Sequence, residues 1–530
     1  CWENRSRRRE VTELILRGGV LLTQNPKGPT AQALAVAAGK ISAVGSDSEI
    51  LSLRRPGTRV VDLAGRTLIP GFIDAHAHIW KIGQLLTGMV DLRRTVDIPG
   101  IASLLHKAAA AASPGAWIQG RGFNESRLAE GRRPDRHDLD AVIPGRPVVL
   151  TRTCGHIYAC NTLALTLSGI DRDTPDPPGG VIERDASGQL TGLLHETAMG
   201  LVNRRMPPPS PSDYFRMILT ALQHQLTLGI TSTNDAGVSP ELLDSYLALD
   251  ADGALPSRVN VMALRKVDGV GTVPLPSMHR SDHLRVDTVK FLADGGLSGA
   301  TAALSVPYRG STSTGVLRFE DRELLELAGE AHRAGWRIAI HGIGDVAIGQ
   351  ILRVYRALGP GPVRHRIEHL GLPDQAQLAE AARLGVISVP QSIFLLELGR
   401  NFRTALPDHL LARAYPIRAM LDAGLTVALS SDGPVVENDN PLQGMGSAVD
   451  RLDDGGSPIA PDQAITVQEA LFGYTMGGAI ASGDEDNRGS LEPGKWADLA
   501  VLSGNPLSTT PLTDIQVQQT WVAGRLVFES

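Results

Sequence analysis

The chain has 530 residues, a net charge of −6, 20% charged residues and 42% hydrophobic residues. This length is too great for one hydrophobic core of ordinary size, and the composition is typical of a globular protein. The chain has no basic excess, which argues against a nucleic-acid partner, and no run of about 18 apolar residues that would predict a membrane span. Its three cysteines, Cys1, Cys154 and Cys160, do not imply a disulfide framework.

The two ends of the chain have the same pattern. The first ten residues are charged, but no apolar segment follows them, so we expect no complete secretory signal and a cytoplasmic location. Residues 11–66 contain short apolar runs separated by glycines, and so does the C-terminal segment 489–530, which predicts β-strands at both ends. We predict that these two segments pair into one composite β-sandwich domain, with the rest of the chain inserted between them.

The middle of the chain, residues 67–488, alternates strand and helix patterns. This alternation predicts parallel strands joined by helices, such as those expected at 213–229 and 320–336. Eight strands with intervening helices predict a (β/α)8 barrel of the TIM type. The predicted strands are 71–76, 229–235, 257–264, 287–294, 337–342, 364–369, 385–390 and 425–432.

One strand pattern, PVVLTRTC at 147–154, is left over from this count. It lies in a connection of roughly 95–210, which is too long for one βα loop and is rich in Pro, Arg and Gly. We predict that residues 95–210 form an inserted subdomain after the first barrel strand, at the mouth of the barrel.

The first barrel strand ends in Asp74, His76 and His78. Residues two apart on a strand point to the same face, so His76 and His78 would form a pair of metal ligands. Alternatively, they are two ordinary loop histidines, and downstream ligands must decide between these interpretations. Asp74 is expected to support the histidines and not to bind metal.

Lys290 lies inside the fourth predicted strand, between Val289 and Phe291. A lysine in an apolar strand is costly unless it is paired or chemically changed. One interpretation is a salt bridge to Asp294. The other is carbamylation by CO2, which converts the cation into an anion with two oxygens that can bridge two metals.

Three further polar residues end predicted strands: His341 the fifth, His369 the sixth and Asp432 the eighth. The histidines could be satisfied core residues, and Asp432 could be a turn former before Gly-Pro. In a (β/α)8 barrel, however, functional groups lie at the carboxyl ends of the strands. Strand alternation sets His365 on the same side as His369 but deeper in the barrel or its wall, so we expect a supporting or structural role.

The chain resembles the amidohydrolase superfamily, in the branch typified by N-substituted formamide deformylase and YtcJ-like proteins. The matching stretches cover nearly the whole chain from about residue 12. They are GKISAVG, LIPGFIDAHAHI, TPDPPGGVIERDASGQLTGLLHETA, VKFLADGGLSGATAAL, HGIGDVAI, RHRIEHL, SVPQ, LSSDGPV and GSLEPGKWADLAVLSGNPL.

The resemblance implies a terminal β-sandwich and a metal-binding barrel. It implies that His76 and His78 share one divalent metal with Asp432, that His341 and His369 bind a second, and that carbamylated Lys290 bridges them. Zinc is the expected metal, with one or two ions per chain because members of the family differ.

The chain departs from its relatives near Cys154. Relatives often have Asp before Gly-His, where this chain has Cys154. We expect Cys154 beside the pocket, as a small buried hydrophobic residue, and not between metals. His156 is a candidate for contacting the substrate or a metal-bound water, Glu196 is expected at the surface or in a helix cap, and Asp345 is expected as the N-cap of the next helix.

These features predict a metal-dependent amidohydrolase that cleaves an amide, N-acyl, N-formyl or cyclic amide bond with metal-activated water. Asp432 is the predicted base and proton donor, and His156 a helper at the substrate carbonyl. The alternatives are an ester, lactone or isomerisation reaction at the same site, or a non-catalytic binding relative. The expected partner is a small-molecule substrate, with no nucleic acid and no membrane. The expected assembly is a homodimer, the commonest oligomer of globular proteins.

Overall fold

The computed structural model of the chain describes residues 12–113, 115–267, 271–508 and 511–530. The charged N-terminal segment, with Cys1, and residue 11 of the predicted terminal domain lie outside the described residues. The strands are β1 Leu14–Arg17, β2 Val20–Leu22, β3 Thr30–Ala31, β4 Ala33–Ala37, β5 Lys40–Gly45, β6 Arg59–Asp62, β7 Thr67–Pro70, β8 Phe72–Ala77, β9 Val90–Asp91, β10 Ile118–Phe123, β11 Val148–Arg152, β12 Ile157–Cys160, β13 Gly180–Arg184, β14 Leu190–Glu196, β15 Ile230–Val238, β16 Arg258–Leu264, β17 Lys266–Val267, β18 Gly271–Thr272, β19 His279–Arg280, β20 Leu284–Leu292, β21 Arg337–Gly342, β22 Arg366–His369, β23 Ile387–Val389, β24 Thr426–Val427, β25 Leu499–Leu502, β26 Val517–Val522 and β27 Arg525–Glu529.

The helices alternate with the strands through the middle of the chain. They are α1 Asp47–Leu51, α2 Ile79–Thr87, α3 Ile98–Ala111, α4 Arg136–Val142, α5 Thr162–Leu167, α6 Met199–Asn203, α7 Pro211–Thr227, α8 Pro240–Ala251, α9 Asp321–Arg333, α10 Asp345–Leu358, α11 Gln375–Arg383, α12 Ile393–Ala405, α13 Asp408–Leu411, α14 Ile417–Asp422, α15 Pro441–Asp450, α16 Val467–Phe472 and α17 Gly478–Ser482. Among the described residues, no helix is both long enough and apolar enough to cross a bilayer.

Eight strands form one parallel sheet in the order β8–β15–β16–β20–β21–β22–β23–β24. Backbone hydrogen bonds from Ala75 to Leu429 (3.4 Å) and from Asp432 to His76 (2.8 Å) join the first strand to the residues after the last. Each of these strands overlaps one of the eight predicted strands, and most of the crossovers between them carry helices, as parallel pairing requires. The predicted α/β class with a TIM-like parallel barrel is therefore confirmed.

Local sequence explains where the barrel helices begin. Helix α7 follows Ser210, whose side chain accepts from the backbone N–H of Asp213 while Asp213 bonds back to Ser210, a capping box. Helix α10 begins differently from the prediction. Gly344 is its N-cap and makes no side-chain cap bond, whereas Asp345 accepts from Ser305 and Arg413. The expected N-cap role of Asp345 is wrong, because its carboxylate is used in a tertiary contact.

Strands from the two ends of the chain share a sheet with the order β27–β26–β25–β7–β2–β3. The link between the ends is β25, which is antiparallel to β7 with Leu499 opposite Pro70. A second sheet, β5–β4–β1–β6, shares a hydrophobic cluster with it that contains Leu16, Leu34 and Trp521.

A separate six-stranded sheet, β13–β14–β12–β11–β10–β9, lies within the long connection after the first barrel strand. The leftover strand pattern at 147–154 corresponds to β11, which pairs in parallel with β10 and antiparallel with β12. The polar residues Arg152 and Thr153 attach this sheet to the barrel: Arg152 donates to Ser298, and Thr153 Oγ1 donates to the Val435 carbonyl at 2.6 Å. These contacts hold the sheet against the carboxyl ends of the barrel strands.

Candidate metal centre

Two histidines and one aspartate meet where the barrel closes. His76 ends β8, His78 follows it, and Asp432 lies after β24. Asp432 Oδ1 lies 3.4 Å from His76 Nε2 and 3.1 Å from His78 Nε2. That oxygen is buried and has no hydrogen-bond partner among the described residues, although two ring nitrogens lie nearby. A carboxylate oxygen and two imidazole nitrogens that converge in this way can bind one divalent ion.

The rings of His341 and His369 complete the cluster. Their centroids are 4.3 Å apart, and the His369 ring is 5.0 Å from the His76 ring. In the described chain, His76, His369 and Asp432 offer ligand atoms that all lie within 4.8 Å of one another. The structure therefore brings the predicted ligands from β8, β21, β22 and the segment after β24 to one place.

Hydrogen bonds behind the rings fix which nitrogen of each faces the cluster. His76 Nδ1 donates to Glu368 Oε2 at 2.5 Å, and His369 Nδ1 donates to Gln391 Oε1 at 2.5 Å. His341 Nε2 donates to the Gly295 carbonyl at 3.1 Å. Each partner accepts, so it assigns the proton to one ring nitrogen and leaves the other as a lone pair. Such partners orient metal-binding histidines in general.

The side chains at the end of β22 do not follow simple strand alternation. On β22, the Glu368 carboxylate accepts from His76, and the Arg366 guanidinium lies 2.6 Å from the same carboxylate. His369 joins the same side because its backbone is left-handed, with φ of 73°. His365 instead contacts His332 of α9 at 2.9 Å, away from the cluster. The expectation that His365 shares a side with His369 is wrong, because the strand ends in a left-handed turn.

Asp74 holds the two closing segments of the barrel together. Its carboxylate accepts from the backbone N–H and hydroxyl of Ser431 and from the backbone N–H of His76. Burial raises the pKa of Asp74 to about 7, although these hydrogen bonds act to lower it. Asp74 thus lies beside the histidines and fixes the backbone that carries them.

Lys290 lies on β20 with 2% of its surface exposed. Its Nζ has no hydrogen-bond partner among the described residues, so the alternative of a salt bridge to Asp294 is wrong. Asp294 accepts instead from the backbone of Ala303, Ile343 and Gly344. Burial lowers the pKa of Lys290 to about 8, although Glu368 and Asp432 act to raise it. A buried lysine with this pKa is neutral for part of the time near pH 7, which is the form that reacts with CO2.

The protonation of the cluster suits a divalent metal. Burial lowers the pKa of His78, His341 and His369, so these rings are neutral, as metal binding requires. Burial acts to raise the pKa of Asp432, but His76 and His78 hold it well below its usual range. Neutral imidazoles, an ionised carboxylate with an orphaned oxygen and an unpartnered amine are a donor set that fits a metal.

Near His341, the part-buried side chain of His156 pairs with the buried carboxylate of Glu196. His156 Nδ1 donates to Glu196 Oε2 at 2.8 Å, and the His156 ring lies 5.7 Å from that of His341. Burial acts to lower the pKa of His156, but Glu196 raises it. Glu196 is 1% exposed, so its expected surface or capping position is wrong. Its partner His156 lies 40 residues away in the chain, which no local pattern indicates.

The cluster borders one cavity of about 470 Å³. Its lining includes all six predicted metal ligands together with His156 and Cys154. Cys154 is buried beside the cavity, in the position expected for it. The sequence interpretation missed Glu368, Gln391 and Arg121. The first two lie in the RIEH and SVPQ stretches, where a polar residue inside an apolar strand end was the available signal.

The chain is similar to known proteins along almost its whole length. A family model described as the amidohydrolase family matches residues 59–528. The chain is 31% identical to N-substituted formamide deformylase of Arthrobacter pascens, over 98% of this chain and 99% of that protein. It is 30% identical to YtcJ of Bacillus subtilis, named as an amidohydrolase, over 97% of this chain and 99% of that protein.

A solved structure extends the comparison to the fold. A metal-dependent hydrolase from Pyrococcus horikoshii superposes with a TM-score of 0.77 and 26% identity, covering 94% of this chain and 98% of that one. The resemblance expected from the motifs is thus confirmed by matches along almost the whole chain. This chain belongs to the amidohydrolase family, and it is a hydrolase of the TIM-like fold.

Proposed function

We propose that the protein is a metal-dependent hydrolase of C–N bonds in amide, N-acyl, N-formyl or cyclic amide compounds. The observation that carries the proposal is the convergence of neutral histidines, the orphaned Asp432 oxygen and the unpartnered Lys290 amine at one end of the barrel. The similarity to N-substituted formamide deformylase supports a C–N bond as the target.

The residues proposed to hold one or two divalent ions, with zinc as the first candidate, are His76, His78, Lys290, His341, His369 and Asp432. Lys290 is proposed to be N6-carboxylated, since its buried neutral amine can add CO2 and would then offer two oxygens. A metal bound here supplies a lowered pKa for water and polarisation of the substrate carbonyl.

Side chains of the protein would accept and deliver the protons that hydrolysis requires. Asp432 is ionised, buried and close to His76 and His78, so it accepts the proton of the attacking water. The same carboxyl group then delivers that proton to the leaving nitrogen. Glu196, which accepts from His156 Nδ1, raises the pKa of His156 and so favours the imidazolium form. In that form Nε2 also carries a proton, which it would donate to the carbonyl oxygen as negative charge develops there.

We also propose the domain division that the sequence predicts. Residues 11–66 and 489–530 would form the composite β-sandwich, 67–488 the barrel, and 95–210 an inserted subdomain that walls the cavity. The pairing of β25 with β7 and the separate sheet from β9 to β14 support this division.

Metal analysis with an activity screen tests the proposed function. Protein stripped with a chelator and reloaded with zinc and bicarbonate is assayed on N-formyl, N-acyl amino acid, cyclic amide and ester panels. We expect one or two metal equivalents, extra mass on Lys290 and hydrolysis of a C–N bond. The absence of bound metal, without rescue by zinc and bicarbonate, would falsify the proposal.

A matched pair of histidine variants separates ligand loss from general damage. His76→Gln removes a proposed ligand and is expected to lower both metal content and activity. His106→Gln alters an exposed histidine of α3 and is expected to leave both unchanged. Equal metal content in the two variants would contradict the ligand assignment.

A further inference from the structure

The wall of the cavity is strongly asymmetric in charge. Among the described residues that line it, Asp432 is the single carboxylate. Apart from Lys290, which is carboxylated in the proposed function, five basic side chains line it: Lys81, Arg121, Arg204, Lys266 and Arg318. A cleft lined mainly by one sign of charge concentrates ligands of the opposite sign, and here that sign is negative.

Arg121 is the most informative of these cations. It is 4% exposed, and its Nε donates to the Pro434 carbonyl at 3.3 Å. Among the described residues, no carboxylate oxygen lies within 4.0 Å of its guanidinium nitrogens. Neighbouring cations do have acidic partners: Arg152 lies 2.8 Å from Glu125. A buried guanidinium is costly without an anion, so Arg121 lacks the partner that its burial calls for.

The backbone around Arg121 directs the side chain. The register between β10 and β11 shifts between Arg121 and Phe123, at Gly122, whose φ is 103°. A Cβ at Gly122 would lie 2.3 Å from the Arg93 side chain, so only glycine fits there. A bulge of this kind re-aims a side chain next to a functional site.

The guanidinium lies close to the reacting groups. A Cβ on Gly155 would be 3.3 Å from Arg121 Nη2, so the tip of the side chain lies over the residue before His156. Pro434, which accepts from Arg121 Nε, is two residues after Asp432. Arg121 therefore lies beside the segments that carry the proposed base and the proposed carbonyl donor, so an anion held by it would lie next to the reacting groups.

We propose that Arg121 binds a carboxylate of the substrate, and this inference rests on the proposed function. A guanidinium offers parallel N–H donors that match the two oxygens of a carboxylate. The cavity also has an apolar part, where the rings of Trp80 and Tyr214 meet edge to face at 6.2 Å, with Met199 and Met206 in the lining. The substrate class is an N-acyl or N-formyl compound that carries both a carboxylate and an apolar group.

Matched substrates on the metal-loaded wild-type enzyme give the first test. N-Formylphenylalanine and N-formylphenethylamine differ only in the carboxylate, and the N-acetyl pair repeats the comparison. We expect kcat/KM to be at least about tenfold higher for the acid, since a charge-assisted bond to a buried group contributes on that scale. Equal or higher kcat/KM for the neutral compounds would overturn the inference without any variant.

Variants of Arg121 give the second test. Arg121→Gln is expected to lower kcat/KM for the acid by about 30-fold or more, mainly through KM, and to leave the neutral compound little changed. Arg121→Lys keeps the charge without the planar fork and is expected to retain part of the preference. Arg172→Gln, at an exposed arginine outside the cavity, is the matched control. Metal content and Tm are measured for each variant.

The outcomes distinguish the two proposals. Equal loss on acid and neutral compounds in folded, metal-loaded Arg121→Gln would mean that Arg121 acts on the reacting carbonyl, and the carboxylate assignment would be wrong. Hydrolysis of neutral amides without a preference for acids would overturn this inference alone. Failure of the metal-loaded enzyme on every C–N substrate would overturn the proposed function and this inference with it.

Discussion

The two sides of the cavity are built by different means. We call the six proposed metal ligands the barrel wall; they are His76, His78, Lys290, His341, His369 and Asp432. We call Arg121, Cys154 and His156, with Glu196 behind His156, the insert wall. Every member of the barrel wall lies on a barrel strand or within a few residues of one. The insert wall comes from the sheet β9–β14, which only tertiary contacts hold over the barrel.

The two walls also differ in which groups compensate their buried charges. Behind the barrel wall, burial acts to raise the pKa of Glu368, but Arg366 and His76 hold it well below its usual range. The insert wall relies on pairs within its own segment, such as His156 with Glu196. In the proposed function the barrel wall binds a metal and the insert wall contacts the substrate, and variants in each wall test this division.

Asp432→Asn tests the barrel wall most directly. The amide cannot accept the proton of water, so we expect kcat to fall by about 1,000-fold, in the range of lost general base catalysis. Metal content should be retained, because the four proposed histidine ligands and Lys290 remain. Steady-state kinetics and metal analysis of the same preparation check this. Normal turnover by the variant would show that another group is the base.

Gln391→Met tests the support of the barrel wall. The variant removes the acceptor of the His369 Nδ1–H, so the ring loses its fixed orientation. We expect metal affinity or activity to fall by about 10–100-fold, as for other residues that orient metal ligands. Titration with a competing chelator measures the affinity. An unchanged affinity would mean that His369 does not bind metal through Nε2.

Glu196→Gln tests the insert wall. Glutamine carries no charge that would keep His156 protonated, and the imidazolium donates a stronger hydrogen bond than the neutral ring. We therefore expect kcat to fall by about tenfold with metal content unchanged. Loss of metal in this variant would place Glu196 and His156 with the metal-binding residues and break the division between the walls.

The same residue gives a pH dependence of stability. Burial acts to raise the pKa of Glu196, but His156 and Arg318 lower it from its ordinary value of 4.5 to about 2. An acid with a depressed pKa in the folded state stabilises the fold above its unfolded pKa and loses that contribution as pH falls. The Tm difference between wild type and Glu196→Gln should therefore shrink between pH 4.5 and about 2. A constant difference across this range would contradict the assignment.

Cys154→Ala is expected to have the smallest effect. The thiol lies beside the cavity in an apolar cluster, so its removal should change kcat by less than about threefold and leave the metal in place. Metal analysis is the decisive measurement. Loss of metal would mean that the thiol takes part in the metal site, and Cys154→Ser would then be expected to retain part of it.

Much of the barrel wall could be predicted from the sequence, because its rules are local. Apolar runs of strand length identify the eight strands, and polar residues where they end identify His76, His341, His369 and Asp432. Parallel strands bring these ends to one edge of the barrel whatever the loops do. Lys290 could be identified because an unpaired charge inside an apolar strand is costly.

The hydrogen-bond partners of the histidines and the position of the insert wall depend on tertiary contacts. His76 and its acceptor Glu368 are 292 residues apart, and no local pattern pairs them. Two backbone exceptions also override strand alternation: the left-handed turn at His369, which separates it from His365, and the bulge at Gly122, which directs Arg121. The residue pattern thus indicates which polar side chains end the barrel strands, because strand ends depend on local sequence, whereas contacts between distant segments set how these side chains are oriented and which others line the cavity.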